Sequence, residues 1–231
     1  MDPDSFSIDV AGRGQTTALV YRAKDPMGAT FLLAHGAGAG QTHPFMVDIS
    51  RRLAAAGVDV ITFNFLYTER GKKMPDRVDD LEACWRAAIA SVRARGGPTP
   101  ARLFCGGKSM GGRIVSQVAA SNAFPGAGLV FLGYPLHPAG KPKVRRDEHL
   151  PAIDVPMLFV QGTRDSLGTA EELSKVASKL ARAAVVPIEG ADHSFAVLKR
   201  SGGLTQEEAT QRVVAAVASF IRAGLSTKRT K

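Results

Sequence analysis

The chain has 231 residues, a net charge of +9 from 30 lysines and arginines against 21 acidic residues, and 24 glycines with 13 prolines. A hydrophobic share of 45% supports a packed core and excludes disorder as the main state, and the length reads as one domain. Two cysteines exclude a disulfide framework and a cysteine-based zinc site, and no run approaches the ~18 apolar residues of a membrane span.

In chain order, short apolar runs alternate with segments of helical period, the pattern of parallel βαβ units. Strands are predicted at Phe6–Val10, Ala18–Arg22, Thr30–Ala34, Val58–Phe63, Arg102–Cys105, Gly128–Leu132, Pro156–Gln161 and Ala184–Ile188. From the third onward they are nearly continuous apolar runs, as in strands covered on both faces. Helices are predicted at Pro44–Ala56, Val78–Arg95, Met110–Ser121, Ala170–Ala181 and Gln206–Ala223, the last opened by a capping box from Thr205 to Glu208. Residues 1–225 form one domain and 226–231 a basic, frayed tail. Two long non-periodic stretches, Asn64 to Arg77 and Tyr134 to Asp154, each follow a strand. In an open parallel sheet such loops frame the ligand crevice.

The glycine excess sits in two knots. Gly107-Lys108-Ser109-Met110-Gly111 reads G-x-S-x-G between a strand and a helix, the pattern of a nucleophile elbow. A serine there occupies a helix N-terminus, where free N–H groups favour developing negative charge. Serine needs a base, itself oriented by a third group. Asp165 follows one downstream strand and His193 the next, so Ser109, Asp165 and His193 are the candidate catalytic residues. Asp192 adjoins His193, so its side chain points elsewhere, and Asp154 precedes its strand. Cys105 belongs to the strand before the elbow and reads as a buried, inert thiol.

The second knot, His35-Gly36-Ala37-Gly38-Ala39-Gly40, follows the third strand. An oxyanion hole takes one N–H from the residue after the nucleophile, Met110, and one from this loop; Ala37 is the choice, with Gly38 next. The loop lacks the spacing of a dinucleotide or Walker phosphate cradle. His35 reads as a residue that holds this turn by hydrogen bonds, His43 as a helix start, and His149 as part of the second long loop. Gly38, Tyr67, Lys108 and His137 are candidates for contact with substrate, Lys108 alternatively for pairing with a neighbouring acid.

These residues, together with N-F-x-Y-x-x-x-G-x-K-x-P-D-R from Asn64 to Arg77 and G-Y-P-L-H-P-x-G-K-P from Gly133, resemble the α/β-hydrolase superfamily over nearly the whole chain, in its dienelactone-hydrolase-like branch. The narrower match is to a subgroup of small hydrolases whose eukaryotic relatives include a subunit of a histone-acetyltransferase complex. The resemblance implies an α/β fold with an eight-stranded, mostly parallel sheet and a minimal lid, and a Ser-His-Asp triad at Ser109, His193 and Asp165. Dienelactone hydrolases carry cysteine at the elbow, so the serine here argues against dienelactone as substrate.

The expected activity is hydrolysis of a carboxylic ester or thioester through an acyl-enzyme, without metal or cofactor. A silent scaffold, or an acyltransferase or perhydrolase with the same triad, remains open. The stretches Asn64 to Arg77 and Tyr134 to Leu150 each carry four basic residues against two acidic ones: Arg70, Lys72, Lys73 and Arg77 against Glu69 and Asp76, then Lys141, Lys143, Arg145 and Arg146 against Asp147 and Glu148. An anionic substrate and an ordinary solvated surface fit these charges equally. Aromatic residues are 6% of the chain and form no stacking platform, so no specific nucleic-acid partner is expected. Asp2 and Asp4, with no apolar segment behind them, read as a cytoplasmic start, and no membrane partner is expected.

Overall fold

The computed structural model describes residues 3–95, 102–121, 124–198 and 203–226. Eight strands form one sheet: β1 Asp4–Val10, β2 Gly14–Tyr21, β3 Thr30–Ala34, β4 Asp59–Phe63, β5 Leu103–Lys108, β6 Gly128–Leu132, β7 Met157–Gly162 and β8 Ala183–Ile188. Their order across the sheet is β1-β2-β4-β3-β5-β6-β7-β8. The β1–β2 and β2–β4 pairs are antiparallel and the rest are parallel. The helices are α1 Pro44–Ala55, α2 Leu66–Glu69, α3 Val78–Ala94, α4 Met110–Ser121, α5 Ala170–Ala177 and α6 Gln206–Ser226.

Alternation along each strand divides the core into two layers. Leu32 and Ala34 of β3 face the layer that holds Trp85 of α3, Ile114 of α4 and Leu173 of α5. Phe31 and Leu33 face the layer of Met46 and Leu53 from α1 and Val213 and Val217 from α6. A sheet covered on both faces explains why the central strands are uninterrupted apolar runs. The chain leaves β3 toward β4 on one side and β5 toward β6 on the other, so the crevice at the carboxyl ends of β3 and β5 is the topological switch point.

Boundaries depart from the periodicity in several places, among them α6, which runs past Ala223 to Ser226, the first residue of the expected tail. The first hairpin is longer at both strands, pairing Asp4 with Val20 through Val10 with Gly14, because its exposed residues break the apolar pattern. β5 runs on to Lys108, since Gly106, Gly107 and Lys108 continue the register opposite Val130, Phe131 and Leu132. α5 stops at Ala177 rather than Ala181: Lys179 and Leu180 donate to Val176 and Ala177, the tighter bonding of a terminating turn. Its start is fixed by a capping box between Thr169 and Glu172, matching the one from Thr205 to Glu208. The stretch from Asn64 contains the single turn α2, too short to carry a period. Residues 227–231 of the basic tail lie outside the described residues.

The loop after β3 is built around His35, which is fully buried. Its Nδ1 lies 2.8 Å from Gly36 O and its Nε2 3.1 Å from the Phe65 N–H. The carbonyl requires a proton on Nδ1, so Nε2 is the acceptor and the ring is neutral with both nitrogens used. Asn64 Oδ1 accepts the Gln41 N–H at 2.8 Å, while Glu69 accepts from Thr17 N–H and Asn64 Nδ2. The segment after β4 thus carries the glycine loop after β3.

Two outcomes follow for stability. A Cβ on Gly106 would overlap Val130 O of the neighbouring strand and sit 2.9 Å from the Phe31 ring. Gly106→Ala is expected to lower stability by about 3 kcal/mol, read as a reduced urea midpoint at unchanged m-value. Burial lowers the pKa of His35 to about 4, against 6.5 for an ordinary histidine. Between those values the unfolded chain binds a proton that the folded chain refuses. Stability present above pH ~6.5 is therefore lost as pH falls toward 4, by about 3 kcal/mol in all. Urea titrations at pH 7.5 and 4.5 measure this loss, and His35→Asn should flatten it.

Candidate active site

Ser109 is the single residue between β5 and α4. Its N–H donates to Leu132 O at 3.0 Å, its carbonyl accepts the Arg113 N–H at 3.1 Å, and its φ is 50°. A non-glycine residue in that region costs about 1–3 kcal/mol and persists only where its surroundings over-determine it. Here the glycines supply the constraint. A Cβ on Gly107 would lie 2.5 Å from the Gly112 nitrogen, and one on Gly111 2.6 Å from His35 O, so the elbow closes only without side chains at both. The sharp turn lifts Oγ off the end of the sheet.

His193 Nε2 is 2.8 Å from Ser109 Oγ, and His193 Nδ1 is 2.7 Å from Asp165 Oδ2. A carboxylate only accepts, so Nδ1 carries the proton and Nε2 presents its lone pair to the serine hydroxyl. Asp165 is 1% exposed, but each oxygen is satisfied: Oδ2 also accepts Gln161 Nε2 at 2.8 Å, and Oδ1 accepts the Leu167 N–H at 2.8 Å. Gln161 is locked in turn, with its Oε1 accepting the Tyr134 N–H at 2.7 Å and its Nε2 donating to Gly168 O at 2.6 Å. This glutamine escaped the sequence reading. Its signal is a lone amide in the buried run Met157–Gly162.

The loop that carries His193 has its own internal frame. Asp192 Oδ1 accepts the Ser194 and Ala196 N–H groups at 2.8 and 3.0 Å, so that acid shapes the turn and leaves His193 to Asp165. Phe195 is held at φ 62°, its carbonyl accepts Gln206 Nε2 at 3.0 Å, and its ring stacks on Phe45. A Cβ on Gly162 would run into Ala191 O, so a glycine at the end of β7 lets the two loops touch.

Met110 opens α4, and its N–H has no acceptor within the helix. Gly36 packs on the elbow, its Cβ position 3.5 Å from Ser109 Cβ, which brings exposed Ala37 and Gly38 to the same place. Tyr67 is buried beneath this loop. Its hydroxyl faces the Gly38 N–H and the Thr68 side chain without aligning as a hydrogen bond to either, and burial raises its pKa. The Gly38 N–H is therefore turned toward Tyr67.

Two residues assigned to substrate contact are used by the protein instead. Lys108 Nζ donates to His193 O at 2.6 Å. Burial lowers its pKa to about 8 against the pull of Asp165 and Asp192, so pairing within the protein is the alternative the geometry follows. The His137 ring is buried and faces α5, with Nδ1 3.0 Å from Pro138 O and Nε2 3.4 Å from Glu172 Oε1, a charge contact without hydrogen-bond alignment. His43 caps α1, accepting from the Phe45 N–H. His149 ties the β6–β7 loop to α4 through Ser116 Oγ at 2.7 Å. Cys105 is fully buried with its thiol pKa pushed up, so it is no nucleophile. Among the described residues no group of three His, Cys, Asp or Glu side chains is arranged to hold a metal ion, and no helix is long and apolar enough to cross a membrane.

Solved structures with the same architecture include a serine hydrolase without a lid from Xanthomonas campestris, 18% identical, with a TM-score of 0.69 over 97% of this chain and 94% of that one. Est1E from Butyrivibrio proteoclasticus, with ferulic acid bound, is 16% identical with a TM-score of 0.77 over 96% of this chain and 100% of that one. A dienelactone hydrolase from Anabaena variabilis is 17% identical with a TM-score of 0.71 over 96% and 99%. At these identities the likeness is one of fold. The model of the alpha/beta hydrolase domain family matches residues 27–222, and the chain belongs to that family.

Proposed function

We propose that this protein is a serine hydrolase of carboxylic esters or thioesters. The observation that carries the reading is the unbroken line from Asp165 through His193 to Ser109, with contacts of 2.7 and 2.8 Å, beside two free main-chain N–H groups. In this mechanism Ser109 Oγ attacks the substrate carbonyl as His193 Nε2 takes its proton, and Asp165 stabilises the imidazolium and fixes the ring. The Met110 and Ala37 N–H groups bind the oxyanion. Collapse of the tetrahedral intermediate expels the alcohol or thiol, which receives the proton from His193 and leaves an acyl-serine. Water, deprotonated by His193, then releases the acid. The half-buried state of Ser109 and His193 leaves the acyl-serine open to water, which favours hydrolysis over acyl transfer.

An alkyl fluorophosphonate is expected to label the parent protein and not Ser109→Ala; equal labelling of the two sinks the assignment. Asp165→Asn would present the wrong imidazole tautomer to Ser109, and kcat on a short-chain p-nitrophenyl ester should fall by about 10⁴-fold.

The cationic loops bear on the kind of ester. Arg145 is neutralised by Asp147 at 2.6 Å and Arg70 donates to Arg13 O at 2.6 Å, while Lys72, Lys73, Lys141 and Lys143 are exposed. In this reading those lysines draw negatively charged substrates toward the crevice. The kcat/KM of a carboxylate-bearing ester should exceed that of its neutral match at low salt, and the gap should close as the Debye length shrinks to ~3 Å near 1 M salt.

A further inference from the structure

We propose that Lys108 is a positioning residue for the triad: its ammonium group holds the main chain of His193 in place from the nucleophile side of the crevice. The proposal rests on the reading of Ser109, His193 and Asp165 as catalytic.

Lys108 ends β5, one residue before Ser109, while His193 follows β8, three strands away. The lysine reaches it by passing over the end of β6 at Gly133. There φ is +68°, and a Cβ would stand 3.0 Å from Nζ and 3.5 Å from His193 Nδ1. The glycine leaves the channel through which the ammonium meets His193 O at 2.6 Å, with the Phe195 ring centroid 5.6 Å from Nζ.

A second tie to His193 matters because the first one is transient. During turnover Nε2 releases Ser109, serves the leaving group, then serves water. The Asp165 bond orients the ring but does not hold the backbone that bears it. That backbone belongs to a turn with a strained Phe195, which must be pinned from several sides. Gln206 pins it from α6 and Asp192 from within, and Lys108 is the tie from the elbow itself. The bond to the His193 carbonyl persists whatever Nε2 is doing, so base and nucleophile stay in register through both half-reactions.

The test uses Lys108→Met, which keeps the length of the side chain without charge or donor, and Lys108→Cys before and after alkylation with 2-bromoethylamine, which rebuilds an ammonium of nearly the same reach. Cys84 and Cys105 are buried with their thiol pKa values pushed up, so the reagent reports on position 108. Two readouts are taken: kcat and KM on a p-nitrophenyl ester, and the NMR chemical shift of the His193 carbonyl, which needs no turnover.

Lys108→Met is expected to lose about 10- to 100-fold in kcat with KM little changed, the size of loss that a small misplacement of a catalytic group produces. The His193 carbonyl resonance should shift with the loss of its donor, and aminoethylation of Lys108→Cys should reverse both effects. Activity within twofold of the parent overturns the proposal. So does an activity loss with an unmoved His193 carbonyl resonance, or failure of both variants to fold. A parent inactive on every ester would instead count against the triad reading, which the NMR arm separates from the role of Lys108.

Discussion

The carboxyl end of this sheet takes its form from the closeness with which the start of α4 lies on β3. Ala34 is paired with Gly107 across the β3–β5 ladder, and Gly111, the second residue of the helix, lies against the carbonyls of Ala34 and His35. Side chains at 107 or 111 would push the helix outward by more than a van der Waals contact can absorb. With glycine at both, the chain reverses from strand to helix in one residue, and that residue takes the backbone strain. Ser109 bears it because Leu132 and Arg113 fix both ends of its peptide unit. The same contact sets the Met110 N–H beside Gly36 and Ala37, so the serine and these main-chain N–H groups are brought together by one packing event rather than two.

Two separate frameworks then converge on Ser109. On one side, His35, Gln41, Asn64 and Thr68 form a hydrogen-bonded seam between the loops after β3 and β4, which fixes the donors. On the other, Gln161, Leu167 and Asp192 fix the acid and the turn that bears the base. Neither seam uses the serine hydroxyl. The walls around Ser109 Oγ and the His193 ring therefore stay bonded whatever partner the hydroxyl takes, and under the proposed mechanism this is the preorganisation that stabilises charge.

Much of this was legible in the sequence because glycine and apolar runs mark backbone constraints directly. The two glycine knots located the elbow and the loop opposite it, and the order Ser109, Asp165, His193 matched the strands that deliver them. The direction of long side chains was not legible. Lys108 and His193 are 85 positions apart, and nothing local to Lys108 says that Gly133 opens a channel between them. His137 was misdirected for the same reason, since its partner Glu172 lies on a helix whose packing no motif announces. The turn α2 is too short to show a period, yet it carries Tyr67 and Thr68 to the glycine loop. Gln161 could have been found, because an amide in an otherwise apolar, two-face-buried strand must be satisfied by something nearby.

Charge balance around the base completes the argument. A serine hydrolase needs its histidine neutral before attack and cationic during it, so every fixed charge within a few ångströms shifts that balance. Asp165 Oδ2 lies 2.7 Å from His193 Nδ1 and Lys108 Nζ 2.6 Å from His193 O, so one acidic and one basic side chain both bond this residue. His35 sits behind the oxyanion loop, where a second imidazolium would cost twice: it would lose the Phe65 N–H that Nε2 accepts, and it would place an unpaired cation in a fully buried site. Burial keeps that ring neutral well below the range in which a serine hydrolase works, so the loop that supplies the Ala37 N–H keeps its shape while the charge beside Ser109 changes. The +9 of the whole chain plays no part in the neutrality of His35, which burial imposes.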